Sequence, residues 1–275
     1  MDTSVPRLLR TMTPRRLFTR YLAVFWLFIC SVAGAELHTP QCIEACPEGA
    51  PQTNDVIVRS IYTLSSNDIT RFADWVAYHV TSDSIGPSRQ RVWRSDPALH
   101  DNETLEPEDY RDAHRVLGTD RGHLVPLASF SGTAQWFQTN YLSNITPQSS
   151  SLNQGAWKRL ESAVRTLAKR QGSTGVYVLA GTIYEQLMPP LPDADEPHLV
   201  PSGYWKVIAL PRHNELQVAG FVFPQQIDRA AKFCSFQVPL DILQQRTRFT
   251  LFPEVPVGHI SDLSPDLLIA LGCHS

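Results

Sequence analysis

From residue 55 onward, short runs of β-branched and aromatic residues alternate with clusters of turn-forming residues. Asp55-Val56-Ile57-Val58-Arg59-Ser60-Ile61-Tyr62-Thr63 and Ala73-Asp74-Trp75-Val76-Ala77-Tyr78-His79-Val80 have strand composition, and Ser65-Ser66-Asn67-Asp68 supplies turn chemistry between them. Residues 84–119 hold prolines and acids with little periodicity, which predicts a long irregular excursion. Such excursions inside compact domains are often functional. Over 152–170 the period changes. Leu152, Ala156, Leu160, Val164 and Leu167 recur at steps of four and three, predicting a helix, and Gly172 stands where a C-terminal cap belongs. Three further strands are expected at 175–183, 204–210 and 216–223. The last two flank Pro211-Arg212-His213-Asn214 and read as a hairpin, and a helix starts at Asp241–Gln245. Strands mixed with a few helices, without regular βαβ alternation or internal repeat, predict a single α+β domain.

Composition adds a compartment. The chain has 275 residues, 43% hydrophobic and 19% charged, which excludes a disordered protein. Arg7, Arg10, Arg15, Arg16 and Arg20 precede an apolar run from Tyr21 to Val32, and Ala33-Gly34-Ala35 is an Ala-x-Ala cleavage site. Residues 1–35 therefore read as a cleaved signal peptide, the run being short for a membrane span. The product would be secreted or periplasmic, with no membrane association after cleavage. Residues 36–54 read as a linker with a disulfide loop, and 55–275 as the domain. Beyond residue 35 lie Cys42, Cys46, Cys234 and Cys273, an even number that implies two disulfides in an exported chain. Of three possible pairings, a local Cys42–Cys46 loop and a Cys234–Cys273 tie at the C-terminus are favoured. The leader holds five arginines and one aspartate, so the remainder carries 19 basic and 26 acidic side chains, a net charge of −7. Nucleic-acid binders are usually basic. Any phosphate-binding surface here must be a local basic cleft.

The densest chemistry lies at Asp120-Arg121-Gly122-His123, followed by Asn144, Asn153 and Glu161. Histidine is the natural base near neutral pH. Magnesium prefers oxygen ligands and keeps most of its waters, so one asparagine carbonyl can suffice as a protein ligand. At i, i+4 and i+8 of a helix, Asn153, Trp157 and Glu161 fall within about 80° of one another, with Trp157 expected to pack against the body. Singly, each residue has a structural explanation: a surface histidine, an Asn cap, an exposed helix charge. Together they make a kit for cutting a phosphodiester with one metal ion.

These motifs, with Asn144-Ile145-Thr146-Pro147-Gln148 and Asn153-Gln154-Gly155-Ala156-Trp157, resemble the DNA/RNA non-specific endonucleases of the ββα-metal (His-Me finger) class. The likeness is nearer to the secreted Serratia-type branch than to mitochondrial endonuclease G, and spans about Cys42 to Cys273. It implies a central six-stranded antiparallel sheet flanked by helices, and the same two disulfides. The implied substrates are DNA and RNA, single- or double-stranded, cut to 5′-phosphorylated products. The implied cofactor is Mg²⁺, with Mn²⁺ a possible substitute, and the resemblance leaves room for a homodimer. Residue by residue, it implies His123 as general base, Asn153 as metal ligand, and Glu161 as the carboxylate holding metal-bound water. Arg91 and Arg121 would contact the phosphate. Asn144 would support the site, with Asp120, Asn140 and Arg165 behind it. The acidic, proline-rich stretch 189–197 departs from the pattern and could alter a rim loop. The rivals are a non-catalytic binding module, a hydrolase of small phosphodiesters, and a disulfide-built structural protein, for which four cysteines are too few.

Overall fold

The computed structural model describes residues 1–3 and 36–273; of the expected leader at 1–35, residues 4–35 lie outside the described residues. The fold below is that of the unit Glu36–Ser275. Among the described residues no helix is long and apolar enough to cross a membrane.

In chain order the main elements are β1 (Asp55–Val58), β2 (Thr63–Ser66), β3 (Ala73–Val80), α1 (Ala113–Leu117), β4 (Thr119–His123), α2 (Leu127–Phe130), β5 (Ile145–Ser149) and α3 (Ser150–Leu152). There follow α4 (Lys158–Ala168), β6 (Val176–Ile183), β7 (Gly203–Arg212), β8 (Glu215–Pro224), β9 (Gln237–Val238), α5 (Leu240–Thr247), β10 (Ile260–Ser261) and α6 (Pro265–Leu271). The fold is α+β. Its main sheet runs β1-β2-β3-β6-β7-β8-β10. The first six strands are antiparallel neighbours, as expected. The sheet also gains two-residue β9 and β10, the latter parallel to β8, which makes eight strands rather than six.

Period-two alternation sorts the strand residues between two faces. Val76, Tyr78 and Val80 on β3, with Tyr204 and Ile208 on β7, join a core covered by α4 and α6. Trp75, Ala77, Trp205, Val207 and Ala209 join the opposite core, covered by α5, Phe249 and Leu251. Both faces are buried, so β3 and β7 read as nearly continuous apolar runs. Each α4 side chain among Leu160, Val164 and Leu167 is buried and contributes about 1.5–3 kcal/mol.

Three segments differ from the sequence reading. The first expected strand is broken by a tight turn, where Arg59 N–H donates to the Tyr62 carbonyl at 2.9 Å. Ser65 and Ser66 are therefore buried strand residues, and the Ser65 hydroxyl accepts from Asn54 Nδ2 at 2.9 Å. The segment 36–54 packs on the second core through the Cys42–Cys46 disulfide and bridges to the body between Glu48 and Thr250. The second disulfide joins Cys234 to Cys273. The excursion 84–119 is held by a small apolar cluster that includes Phe72, Leu105, Tyr110, Ile145 and Leu191.

Candidate active site

The Asp120–His123 motif forms β4, half of a two-stranded ribbon that the sequence pattern does not announce. Arg121 faces Pro147, Gly122 faces Thr146 and His123 faces Ile145 across it. Glycine is required in the motif, because a Cβ on Gly122 would lie 2.6 Å from the Gln148 Cβ. The ribbon leads into α3 and α4, which are joined by one wide turn of π-helix at Asn153–Trp157 with its kink at Gly155. A Cβ there would meet the Arg229 carbonyl at 2.7 Å, so the loop beyond β8 presses on this turn. The expected regular helix is thus interrupted at Asn153–Trp157. Asn153 and Glu161 both line the same cleft as His123, while Trp157 is buried and donates Nε1–H to the His123 carbonyl at 3.1 Å.

Asp120 organises the floor. It accepts from Asn153 Nδ2 at 2.9 Å, Gln154 Nε2 at 2.8 Å and the Ser150 hydroxyl at 2.7 Å. Burial pushes its carboxyl pKa up, but these three donors outweigh burial and hold it below the usual carboxylate range. With its NH₂ anchored, the Asn153 carbonyl oxygen is the free end of the amide.

His123 Nε2 lies 3.2 Å from Asn140 Oδ1, and Trp93 tilts over the ring at 5.3 Å. Asn140, expected behind the site, therefore touches the histidine itself. Burial pulls the His123 pKa down to about 4, the Asn140 contact opposes this, and the Arg91 charge adds to it. Arg121 is held between Trp93 and Tyr110, 5.7 and 5.5 Å from their ring centres, and its Nη2 donates to the Pro107 carbonyl at 2.6 Å. Arg91 is exposed at the cleft. Arg165 lines it one helical turn beyond Glu161 and donates to the Ser162 hydroxyl at 2.8 Å. Asn144 is wholly buried and does not line the cleft. Its Oδ1 accepts from Val125 N–H at 2.8 Å, and its Nδ2 donates to the Val125 and Thr139 carbonyls, tying the segment after His123 to the one carrying Asn140.

The cleft has a volume of about 580 Å³. Arg91, Arg121, Lys158 and Arg165 line it with Asp120 and Glu161, so it is locally positive in an acidic body. Lys158 and His114 were not singled out from the sequence; His114 Nδ1 sits 3.2 Å from Asp120 Oδ1. Nor was Lys206, although a lysine amid Tyr204-Trp205-Lys206-Val207-Ile208 is itself a signal. Its side chain has no exposed surface, its Nζ lies 3.5 Å from Glu161 Oε1, and burial lowers its pKa to about 8.

The free carbonyl of Asn153 and the Glu161 carboxylate are hard oxygen donors in a water-accessible cleft. Their chemistry fits a magnesium- or manganese-type cation and not a thiolate- or imidazole-seeking metal.

The sequence pattern of the DNA/RNA non-specific endonuclease family matches residues 43–258. A nuclease of Serratia marcescens is 42% identical over 245 residues, 88% of this chain and 91% of that protein. Human mitochondrial endonuclease G is 28% identical over 77% of this chain and 74% of its own length. Among solved structures, the EndoG/EndoGI complex superposes with a TM-score of 0.66 at 26% identity, covering 78% of this chain and 91% of that one.

Proposed function

The chain belongs to the DNA/RNA non-specific endonuclease family and is a metal-dependent endonuclease, and from that premise we propose how its own residues cut a phosphodiester. The carrying observation is that Asp120 fixes the Asn153 amide with its carbonyl end free, in the same positive cleft as His123 and Glu161.

His123 is the general base. With Nε2–H donating to Asn140 Oδ1, Nδ1 carries the lone pair, and the lowered pKa keeps the ring neutral and ready at pH 7. It takes a proton from water attacking phosphorus in line. Arg91 and Arg121 clamp the phosphate through charge-assisted hydrogen bonds, and the two rings around Arg121 fix its direction in advance. Asn153 would hold the divalent cation and Glu161 would orient water beside it. A cation bound there neutralises charge on the phosphoryl oxygens and on the departing 3′-oxygen. We assign Mg²⁺, with Mn²⁺ as substitute, and products bearing 5′-phosphates. Asp120, Asn140, Asn144 and Arg165 support these groups. Contacts confined to phosphate carry no base information, which explains action on DNA and RNA, single- or double-stranded. Residues 1–35 direct export by the basic, apolar and Ala-x-Ala pattern they contain, in keeping with a disulfide-bonded body.

The test is cleavage of circular plasmid DNA and of RNA by the 36–275 protein with Mg²⁺ and with EDTA. Mg²⁺-dependent loss of both, abolished in a folded His123→Ala variant, is expected. A fully active variant would sink the general-base assignment. Cleavage of a small diester but not of polymer would move the substrate class.

A further inference from the structure

Lys206 is a charge buried within the main sheet. It sits at the middle of β7, opposite Ala180 on β6 and Phe221 on β8, neither of which offers a polar atom. Its side chain has no exposed surface. The ammonium makes two contacts: Glu161 Oε1 at 3.5 Å and the face of Trp157, 3.7 Å from the ring centre. Replacing a whole buried ion pair by apolar side chains of similar volume is often neutral or stabilising, so the pairing of Lys206 with Glu161 is weak evidence for a role in stability. What a lysine adds is direction. It is anchored in the middle of the main sheet and presents a cation to one oxygen of Glu161, 12% exposed at the cleft wall. Through Trp157, whose Nε1–H holds the His123 carbonyl, it also backs the strand that carries the histidine.

We propose that Lys206 is a positioning residue, holding the Glu161 carboxylate turned toward the cation site at Asn153. The proposal rests on the roles given above to Glu161 and Asn153. Without Lys206 the carboxylate loses a buried counter-charge and rotates among its rotamers, so the order around the cation falls. The effect acts on metal affinity, while phosphate binding by Arg91 and Arg121 is untouched.

A double-mutant cycle of Lys206→Met, Glu161→Gln and the pair tests this, because coupled residues depart from additivity and independent ones do not. Two quantities are read: the Mg²⁺ concentration giving half-maximal plasmid cleavage, and the Mn²⁺ dissociation constant in the absence of substrate, from the electron paramagnetic resonance signal of the free ion. Lys206→Met is expected to weaken both about tenfold, the low end of what losing outer support of a metal site costs. KM for DNA at saturating metal stays unchanged, and adding Lys206→Met to Glu161→Gln costs no more than about twofold further. Unchanged metal affinity in Lys206→Met, or losses that add in the double variant, would overturn the proposal. The double variant leaves no unpaired buried charge and is expected to melt cooperatively even if Lys206→Met alone does not. Failure of the double variant to fold would make the lysine part of the sheet's own packing and also overturn it. Glu161→Gln with wild-type cleavage and Mn²⁺ affinity would instead remove the reading beneath the proposal, whatever Lys206→Met does.

Discussion

Replacing Asp120 by alanine isolates the orientation of the Asn153 amide, the proposed cation ligand, from the rest of the chemistry. Three donors converge on this carboxylate at 2.7–2.9 Å, and its side chain is only 18% exposed. Hydrogen bonds to a charged group are worth about 1.5–3 kcal/mol each, so the fold loses a few kcal/mol, tempered by water refilling the space. The functional loss is separate. Asn153 Nδ2 gives up its partner, and the amide is then free to present its NH₂ end to the cation. Removing such outer support costs about 10–100-fold in metal affinity, or about 1.4–2.7 kcal/mol. Titrating Mg²⁺ against plasmid cleavage should show half-saturation displaced by that factor, with the maximal rate largely recovered at high Mg²⁺. Asp120→Asn keeps one acceptor and falls between. A folded Asp120→Ala protein whose half-saturation lies within about twofold of wild type would refute the orientation argument. The depressed carboxyl pKa adds a pH signature. The stabilisation from Asp120 is complete above the unfolded value of about 4 and is lost as pH falls through the lower folded value, a limb that the alanine variant lacks.

The His123 pKa near 4 places the acid limb of kcat/KM well below 6.5; a limb at or above 6.5 in a pH–rate profile would contradict the burial argument. Because this pKa is lowered on folding, His123 contributes stability above pH ~6.5 that is lost as pH falls toward about 4, and His123→Ala flattens that slope in melts followed against pH. The Cys234–Cys273 bond closes a separation of 39 residues, so replacing both cysteines by serine should cost about 4 kcal/mol in urea unfolding, against about half of that for Cys42–Cys46, whose separation is 4. Gly155→Ala drives a Cβ to 2.7 Å from the Arg229 carbonyl; about 1–3 kcal/mol of stability and a displaced Asn153 are expected, read by unfolding and by Mg²⁺ titration.

What could be read from the sequence follows physical lines. β3, β6 and the β7–β8 hairpin were legible because two covered faces leave long apolar runs. The β1–β2 turn was misplaced because Ser65 and Ser66 are polar yet buried, and only the three-dimensional approach of Asn54 satisfies Ser65. The β4–β5 ribbon has no hydrophobic period, since its positions go to Asp120, Arg121 and His123 and to a glycine that clears Gln148. Helical spacing put Asn153 and Glu161 on one side of the chain, and both line the cleft, while Trp157 is buried beneath them. The spacing could not reveal the wide turn at Asn153–Trp157, which depends on a loop more than 70 residues away along the chain. Asn140 gave no local signal, because its contact with His123 is made by a 3₁₀ turn at Trp136–Asn140 that folds back across the ribbon.

The confinement of positive charge to one cleft also shapes how a polymer is consumed. Four cationic side chains line that cleft, while residues 36–275 as a whole carry a net charge of −7. A strand is therefore neutralised over only a few phosphates. With at most about four phosphates engaged, duplex affinity falls by at most about 3.6 logarithmic units for each tenfold rise in salt. Beyond the cleft, the acidic surface pushes the strand away. A protein built this way is expected to let go after each cut and land elsewhere, so that long chains are shortened by scattered breaks and not eroded from their ends.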